Sequence, residues 1–124
     1  MEKEILNWEE VEEWVDKLIE HIKSEGLKFS GVYGIPRGGL VPATLISYKT
    51  GLPMLLAPAK DCLIIDDIAD SGKTLMHFTL NDTQFNKYFI ATIYYSKRSL
   101  VTPDFYTREK TDKWIEFPWE KNEV

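Results

Sequence analysis

The chain has 124 residues, 44% hydrophobic and 28% charged, with 20 acidic against 15 basic side chains and a formal net charge of -5. A chain of this length removes roughly two-thirds of its extended surface from water on folding, which is enough for one hydrophobic core and not two, so residues 1–124 read as one domain. The acidic balance excludes the basic surface that nucleic-acid phosphates require, the lone Cys62 excludes an internal disulfide and a zinc cluster, and no apolar run approaches the ~18 residues of a membrane span.

Met1-Glu2-Lys3-Glu4 leads into no apolar signal core, so the expected location is the cytoplasm, with neither nucleic acid nor membrane as partner. From Trp8 to Ile22, the residues Trp8, Val11, Trp14, Val15, Leu18, Ile19 and Ile22 recur at three- and four-residue intervals among Glu and Lys. That spacing predicts an amphipathic helix, with Asn7 as N-cap, Gly26 as stop and acids in the first turns. Residues 29–34 read as a short strand, Ile35-Pro36-Arg37-Gly38-Gly39 as a turn, and residues 40–47 as a packed helix with Pro42 in its first turn and Gly51 closing it. A weaker strand is expected over 52–58. Cys62-Leu63-Ile64-Ile65 is a continuous apolar run, as suits a parallel strand buried on both faces. A loop from Asp66, a helix starting over 74–80 and a strand over 88–95 follow. Alternating strands and helices predict an α/β, Rossmann-like, mainly parallel sheet flanked by helices. Its core spans about 8–97, and the aromatic tail over about 98–124 reads as a small covering hood.

In such a sheet, ligands bind beyond the carboxyl ends of the strands, where amides at the next helix start can hold a phosphate. The run at Cys62 delivers Asp66 and Asp67 to that edge. Ala69, Ser71 and Gly72 let the backbone curl so that amides converge on one anion, and Ser71 and Thr74 add hydroxyls. Two adjacent carboxylates suit paired sugar hydroxyls or a hydrated Mg²⁺, and a ribose phosphate presents those groups together. Ser71-Gly72-Lys73-Thr74 contains Gly-Lys-Thr, but a Walker A loop would need its first glycine at the position of Asp67. A bare pair of aspartates would simply end a strand and cap a helix; here a third carboxylate, a glycine turn and two hydroxyls accompany it.

The whole string Cys62-Leu63-Ile64-Ile65-Asp66-Asp67-Ile68-Ala69-Asp70-Ser71-Gly72-Lys73-Thr74-Leu75 resembles the signature of the type I phosphoribosyltransferases. Two further segments match in order. Val32-Tyr33-Gly34-Ile35-Pro36-Arg37-Gly38-Gly39-Leu40-Val41-Pro42 looks like that family's pyrophosphate loop, and Trp114-Ile115-Glu116-Phe117-Pro118-Trp119-Glu120 is similar to the carboxyl-terminal segment of the xanthine-guanine and other 6-oxopurine members. The resemblance implies transfer of a phosphoribosyl group from phosphoribosyl pyrophosphate to a nucleobase, in purine salvage, with a nucleoside monophosphate and pyrophosphate as products. It further implies Pro36, Arg37, Gly38 and Gly39 on the pyrophosphate, with a cis Pro36–Arg37 peptide. Asp66 and Asp67 fall on the ribose hydroxyls and Mg²⁺, and the backbone of Asp70, Ser71, Gly72, Lys73 and Thr74 on the 5′-phosphate. Asp70 and Arg37 are the catalytic candidates, Asp70 as proton acceptor near the purine's imidazole edge and Arg37 neutralising the leaving group. Trp114 and Ile115 would hold the base, with Lys97 reading its 6-oxo group. Assembly as a homodimer or tetramer is implied too.

The chain departs from this pattern in one place. Residues 52–61 are all that stands where the family carries a longer, mobile catalytic loop, which leaves little for a lid and makes the N-terminal helix and the tail the candidates for covering. A weak enzyme, or a sensor that binds phosphoribosyl pyrophosphate or a nucleotide without turnover, are the readings this opens; an unrelated nucleotide-binding interaction protein is the third. His21 and His77 have no acidic or cysteine residue at ligand spacing, Cys62 reads as core, and the Lys73 side chain as solvent-facing.

Overall fold

Helix α1, Trp8–Ser24, buries Val11, Trp14, Val15 and Leu18 and turns its glutamates outward. Asn7 caps it: its side chain accepts from the Glu10 amide at 2.8 Å while Glu10 Oε1 takes the Asn7 amide at 3.1 Å, a reciprocal box that satisfies two otherwise orphaned donors. The chain is seen here in a computed structural model that describes residues 2–80 and 88–120; the last four residues of the expected hood, 121–124, lie outside them.

Four parallel strands form the main sheet in the order β2 (Val32–Gly34), β3 (Leu63–Ala69), β4 (Phe89–Tyr95) and β5 (Arg108–Glu109). Both faces are covered, which explains the unbroken apolar run of β3. Leu63 and Ile65 pack on the side of α1 and Ala43 and Ile46 of helix α2, Leu40–Thr50. Ile64 points the other way, into a smaller cluster with Ile35, Cys62, Ile90 and Leu75 of helix α3, Lys73–Leu80. Trp14 ties α1 to the sheet, donating from its indole to the Thr92 carbonyl at 2.9 Å in a buried setting. Deep burial also pushes the Cys62 thiol up, in keeping with an inert core residue.

The predicted α/β sheet is present, with differences that have physical reasons. Strand β3 continues through Asp66 and Asp67 and ends at Ala69, because β4 offers backbone partners as far as Tyr95, opposite Ala69; the carboxylates therefore project from a strand and not from a loop. The strand expected over 52–58 reduces to one bridge between Met54 and Val32, and that expected over 29–34 to residues 32–34. Three short strands carried no local signal. β5 extends the sheet at its β4 edge, while β1, Lys3–Ile5, pairs in parallel with β6, Trp114–Glu116, in a separate two-stranded sheet. The covering element is thus built from both ends of the chain.

Candidate active site

The turn from β3 to α3 is formed by Asp70, Ser71 and Gly72. Gly72 sits at φ 81°, a left-handed conformation that glycine adopts without penalty, and an added Cβ would lie 2.6 Å from the Leu100 amide nitrogen. Among the described residues no protein acceptor takes the amide hydrogens of Ser71, Gly72, Thr74 or Leu75, whereas the Ser71 carbonyl is used by the Leu100 amide at 2.9 Å. These free donors border a cavity of about 190 Å³ lined by Asp66, Ile68, Ala69, Asp70, Ser71, Gly72, Thr74 and Leu75. Free amides at a helix start, beside a hydroxyl, make an anion cradle.

Around the sheet edge, the turn after β2 carries a cis Pro36–Arg37 peptide. Gly38 passes so close to Asp67 that a Cβ there would fall on its carboxylate. A larger cavity, about 620 Å³, opens between Arg37, Gly38, Leu40, Val41, Asp67, Trp119 and Glu120. A third, about 160 Å³, is lined by Asp67, Ile68, Asp70, Lys110, Trp114, Ile115, Phe117 and Glu120. It lies between the other two in composition: it shares Asp67 and Glu120 with the arginine cavity, and Ile68 and Asp70 with the amide-lined one.

Electrostatics separate the three acids. Burial first, then the charge of Asp67, pushes the Asp66 carboxyl up to about 8, and burial raises Asp67 as well; Asp66 Oδ1 takes the Asp67 amide at 2.9 Å. Asp70 is held below the usual carboxylate range by the Arg98 guanidinium, which reaches it with Nε at 3.0 Å and Nη2 at 2.9 Å. One acid of the site is therefore reliably anionic, while the adjacent pair resists carrying two charges.

The carboxyl edge of the sheet thus joins an amide-lined anion cradle, an arginine-bearing cavity and a half-apolar slot through shared aspartates, an arrangement that can hold two anionic groups and a flat apolar one side by side. The comparisons agree. No family model matches the chain, but xanthine-guanine phosphoribosyltransferase of Cereibacter sphaeroides is 32% identical over 72% of this chain and 68% of its own length. The crystal structure of a purine phosphoribosyltransferase from Pyrococcus horikoshii superposes with a TM-score of 0.83 at 28% identity, covering 100% of this chain and 98% of that one. Xanthine-guanine-hypoxanthine phosphoribosyltransferase of Helicobacter pylori shares the fold, with a TM-score of 0.77 over 95% and 93% of the two chains at 19% identity. The chain belongs to the type I phosphoribosyltransferase family, on its purine side, and is a transferase of that class.

Of the residues singled out from sequence, the structure brings Asp66, Asp67, Asp70, Ser71, Gly72, Thr74, Arg37, Gly38, Trp114 and Ile115 to the walls of these three cavities. Pro36 and Gly39 shape the arginine turn without lining its cavity. The Lys73 side chain is exposed and outside the cradle, and only its amide turns back, to Ser71 Oγ at 3.4 Å. Lys97 is not in the slot: its amine lies 3.5 Å from Glu109 with the side chain 82% exposed. The slot's lysine is Lys110, whose amide is anchored on the Tyr95 carbonyl at 2.8 Å and whose charge also lowers Asp70. Nothing local in the sequence marks Lys110. Ile68, Phe117, Trp119 and Glu120 also line these cavities; they lie inside the segments of resemblance, where no residue-level signal distinguishes them. Residues 52–61 are fastened at both ends, to β2 and to Ser30 before it. Their Pro53 carbonyl and Leu55 amide bond Val32, each at 2.9 Å, and the Pyrococcus structure shows that a purine phosphoribosyltransferase can have this same extent of fold.

Proposed function

We propose that the chain transfers the 5-phosphoribosyl group from phosphoribosyl pyrophosphate to a 6-oxopurine, releasing pyrophosphate, with Mg²⁺ as cofactor. The observation that carries this reading is that the slot shares Asp67 with the arginine cavity and Asp70 with the amide-lined one, because the two substrates bring three groups, a phosphate and a pyrophosphate on one ribose and an incoming base, to a single carbon.

In this assignment the amides of Ser71, Gly72 and Thr74 take the 5′-phosphate, and Arg37 and the Gly38 backbone take the pyrophosphate. Trp114 and Ile68 face the two sides of a flat base, as an aromatic and a branched apolar side chain suit a π surface. Asp66 and Asp67 are two half-buried carboxylates that resist ionising together, so a cation beside them is favourable. Mg²⁺ commonly takes one or two carboxylates and completes its shell with water and substrate phosphates, so the pair fits it without a third protein ligand, and none gathers among the described residues. When bound, the ion neutralises charge on the leaving pyrophosphate. Asp70, anionic and at the slot, accepts the proton lost by the base nitrogen as it bonds to ribose C1. The exposed Trp8, Leu40 and Tyr48 support assembly as a dimer or tetramer.

Lys110, a donor with no acceptor capacity, favours a carbonyl over an amino group at the slot. A pyrophosphate-release assay with guanine, xanthine, hypoxanthine and adenine, with and without Mg²⁺, tests the whole assignment. The expected result is metal-dependent release, faster with the oxopurines by about tenfold or more. Preference for adenine, or release indifferent to Mg²⁺, would overturn it.

A further inference from the structure

Strand β6 supplies Trp114 and Ile115 to the slot, yet it lies outside the main sheet and pairs with β1. β1 is only three residues long and largely exposed. Such a ribbon is marginal by itself; Ile115 and Phe117 bury their side chains in the core, and the fine setting of the slot's outer wall depends in addition on what fastens β1. The fastening is specific. Glu4 is the Cα partner of Ile115, and its carboxylate accepts the hydroxyl hydrogen of Tyr94. Tyr94 is fully buried in β4 and is the Cα partner of Ile68. Ile68 and Ile115 both line the slot. The path Ile68, Tyr94, Glu4, Ile115 therefore joins the inner wall to the outer through two strand registers and one side-chain hydrogen bond.

Two further contacts brace that bond. The Tyr94 ring meets Phe117, another slot residue, edge-on at 5.9 Å. Arg108, whose charge acts on the Tyr94 hydroxyl, is held by Glu10 Oε2 of α1 at 2.8 Å.

We infer that Tyr94 and Glu4 are positioning residues for base recognition, setting the spacing between the slot's two walls although neither lines it. The inference rests on the assignment of the slot to the base. Removing the hydroxyl loosens the β1 side of the outer wall, which the ring contact with Phe117 still holds, without altering the cradle or the arginine cavity, neither of which Tyr94 or Glu4 lines.

Steady-state kinetics of Tyr94→Phe and Glu4→Ala, with guanine and phosphoribosyl pyrophosphate varied in turn, test it. Each variant is expected to raise KM for guanine about fivefold, the worth of one hydrogen bond, with KM for phosphoribosyl pyrophosphate unchanged. The double variant should be no worse than either single one, and Glu4→Gln, which keeps an acceptor, should recover most of the loss. Equal rises in both KM values, additive losses, or a lowered melting temperature with both KM values intact would overturn the inference. Trp114→Ala, measured alongside, separates the two failures. If it leaves KM for guanine unchanged, the slot is not the base site; if it raises that KM while Tyr94→Phe does not, only the positioning role falls.

Discussion

The two ends of the site are built by different means. The anion cradle is made by neighbours in sequence, all between Asp66 and Leu75, and its chemistry is mostly backbone, so a turn and a helix start suffice to form it. The slot assigned to the base gathers Asp67, Ile68, Lys110, Trp114 and Phe117 from β3, the segment after β5, and β6 with the residue that follows it, and its outer wall is held by core packing of Ile115 and Phe117 and by the pairing of β6 with β1, from the other end of the chain. A site built from local backbone fails when the turn is forced out of shape. One built from distant side chains tolerates changes in any single wall and should lose affinity for one substrate alone.

The severest test of the cradle is Gly72→Ala. The left-handed φ costs an L-residue roughly 1–2 kcal/mol, and the new Cβ meets the Leu100 amide nitrogen, an overpacking of another 1–3 kcal/mol or so. Affinity for phosphoribosyl pyrophosphate should fall by about 10²–10³-fold by titration calorimetry; a loss in the fewfold range would mean that the amides do not hold the phosphate. Asp70→Asn comes next. If Asp70 accepts the base's proton, kcat should drop about a hundredfold with nucleotide affinity nearly unchanged, while parallel losses in both would remove that role. Trp114→Ala probes the slot, with an expected rise of about tenfold in KM for the base, the scale of one stacking contact, and no change for phosphoribosyl pyrophosphate. Should the last two variants alter both substrates alike, the contrast between a cradle and a separate slot would not stand.

The same contrast governs how much could be read from the sequence. The cradle and the arginine turn were legible because their determinants are contiguous: a buried strand, two acids, a small-residue turn and a helix start leave a pattern that a short window contains. Helix α1 was legible for the same reason, from its apolar spacing and its Asn7–Glu10 cap. The slot was only half legible. Trp114 and Ile115 stand out by resemblance, but the lysine that borders the cavity is Lys110 while Lys97 stands outside it, since which lysine borders the slot depends on how β5 docks at the edge of the sheet, a tertiary fact with a two-residue local trace. Lys3–Ile5 is short and exposed, so nothing in its pattern shows that it props up the opposite end of the chain. Even at β3 the extension through Asp66 and Asp67 came from β4 offering partners, not from the hydrophobic run.

Asp70 borders both the cradle and the slot, and the Arg98 pair offers the mildest test of how the two are joined. Arg98 is largely exposed, with its side chain at 69%, so breaking the pair should change stability and neutral-pH turnover little. What should change is pH dependence. The Arg98 hydrogen bond lowers the Asp70 carboxyl, so the Arg98→Met variant should return it toward the ordinary carboxylate range. An ionised Asp70 is the form that accepts a proton, hence the acid limb of the kcat profile should move to higher pH in the variant, with the plateau above it preserved. In the folding equilibrium the sign is the same: a depressed carboxylate adds stability that is complete above its unfolded pKa and is lost as pH falls through the lower folded value. The variant should therefore begin to lose kcat at a higher pH than the parent. If the acid limb stays where it was, the group that titrates in turnover is not Asp70, and the proton acceptor must be sought among the other acids of the slot.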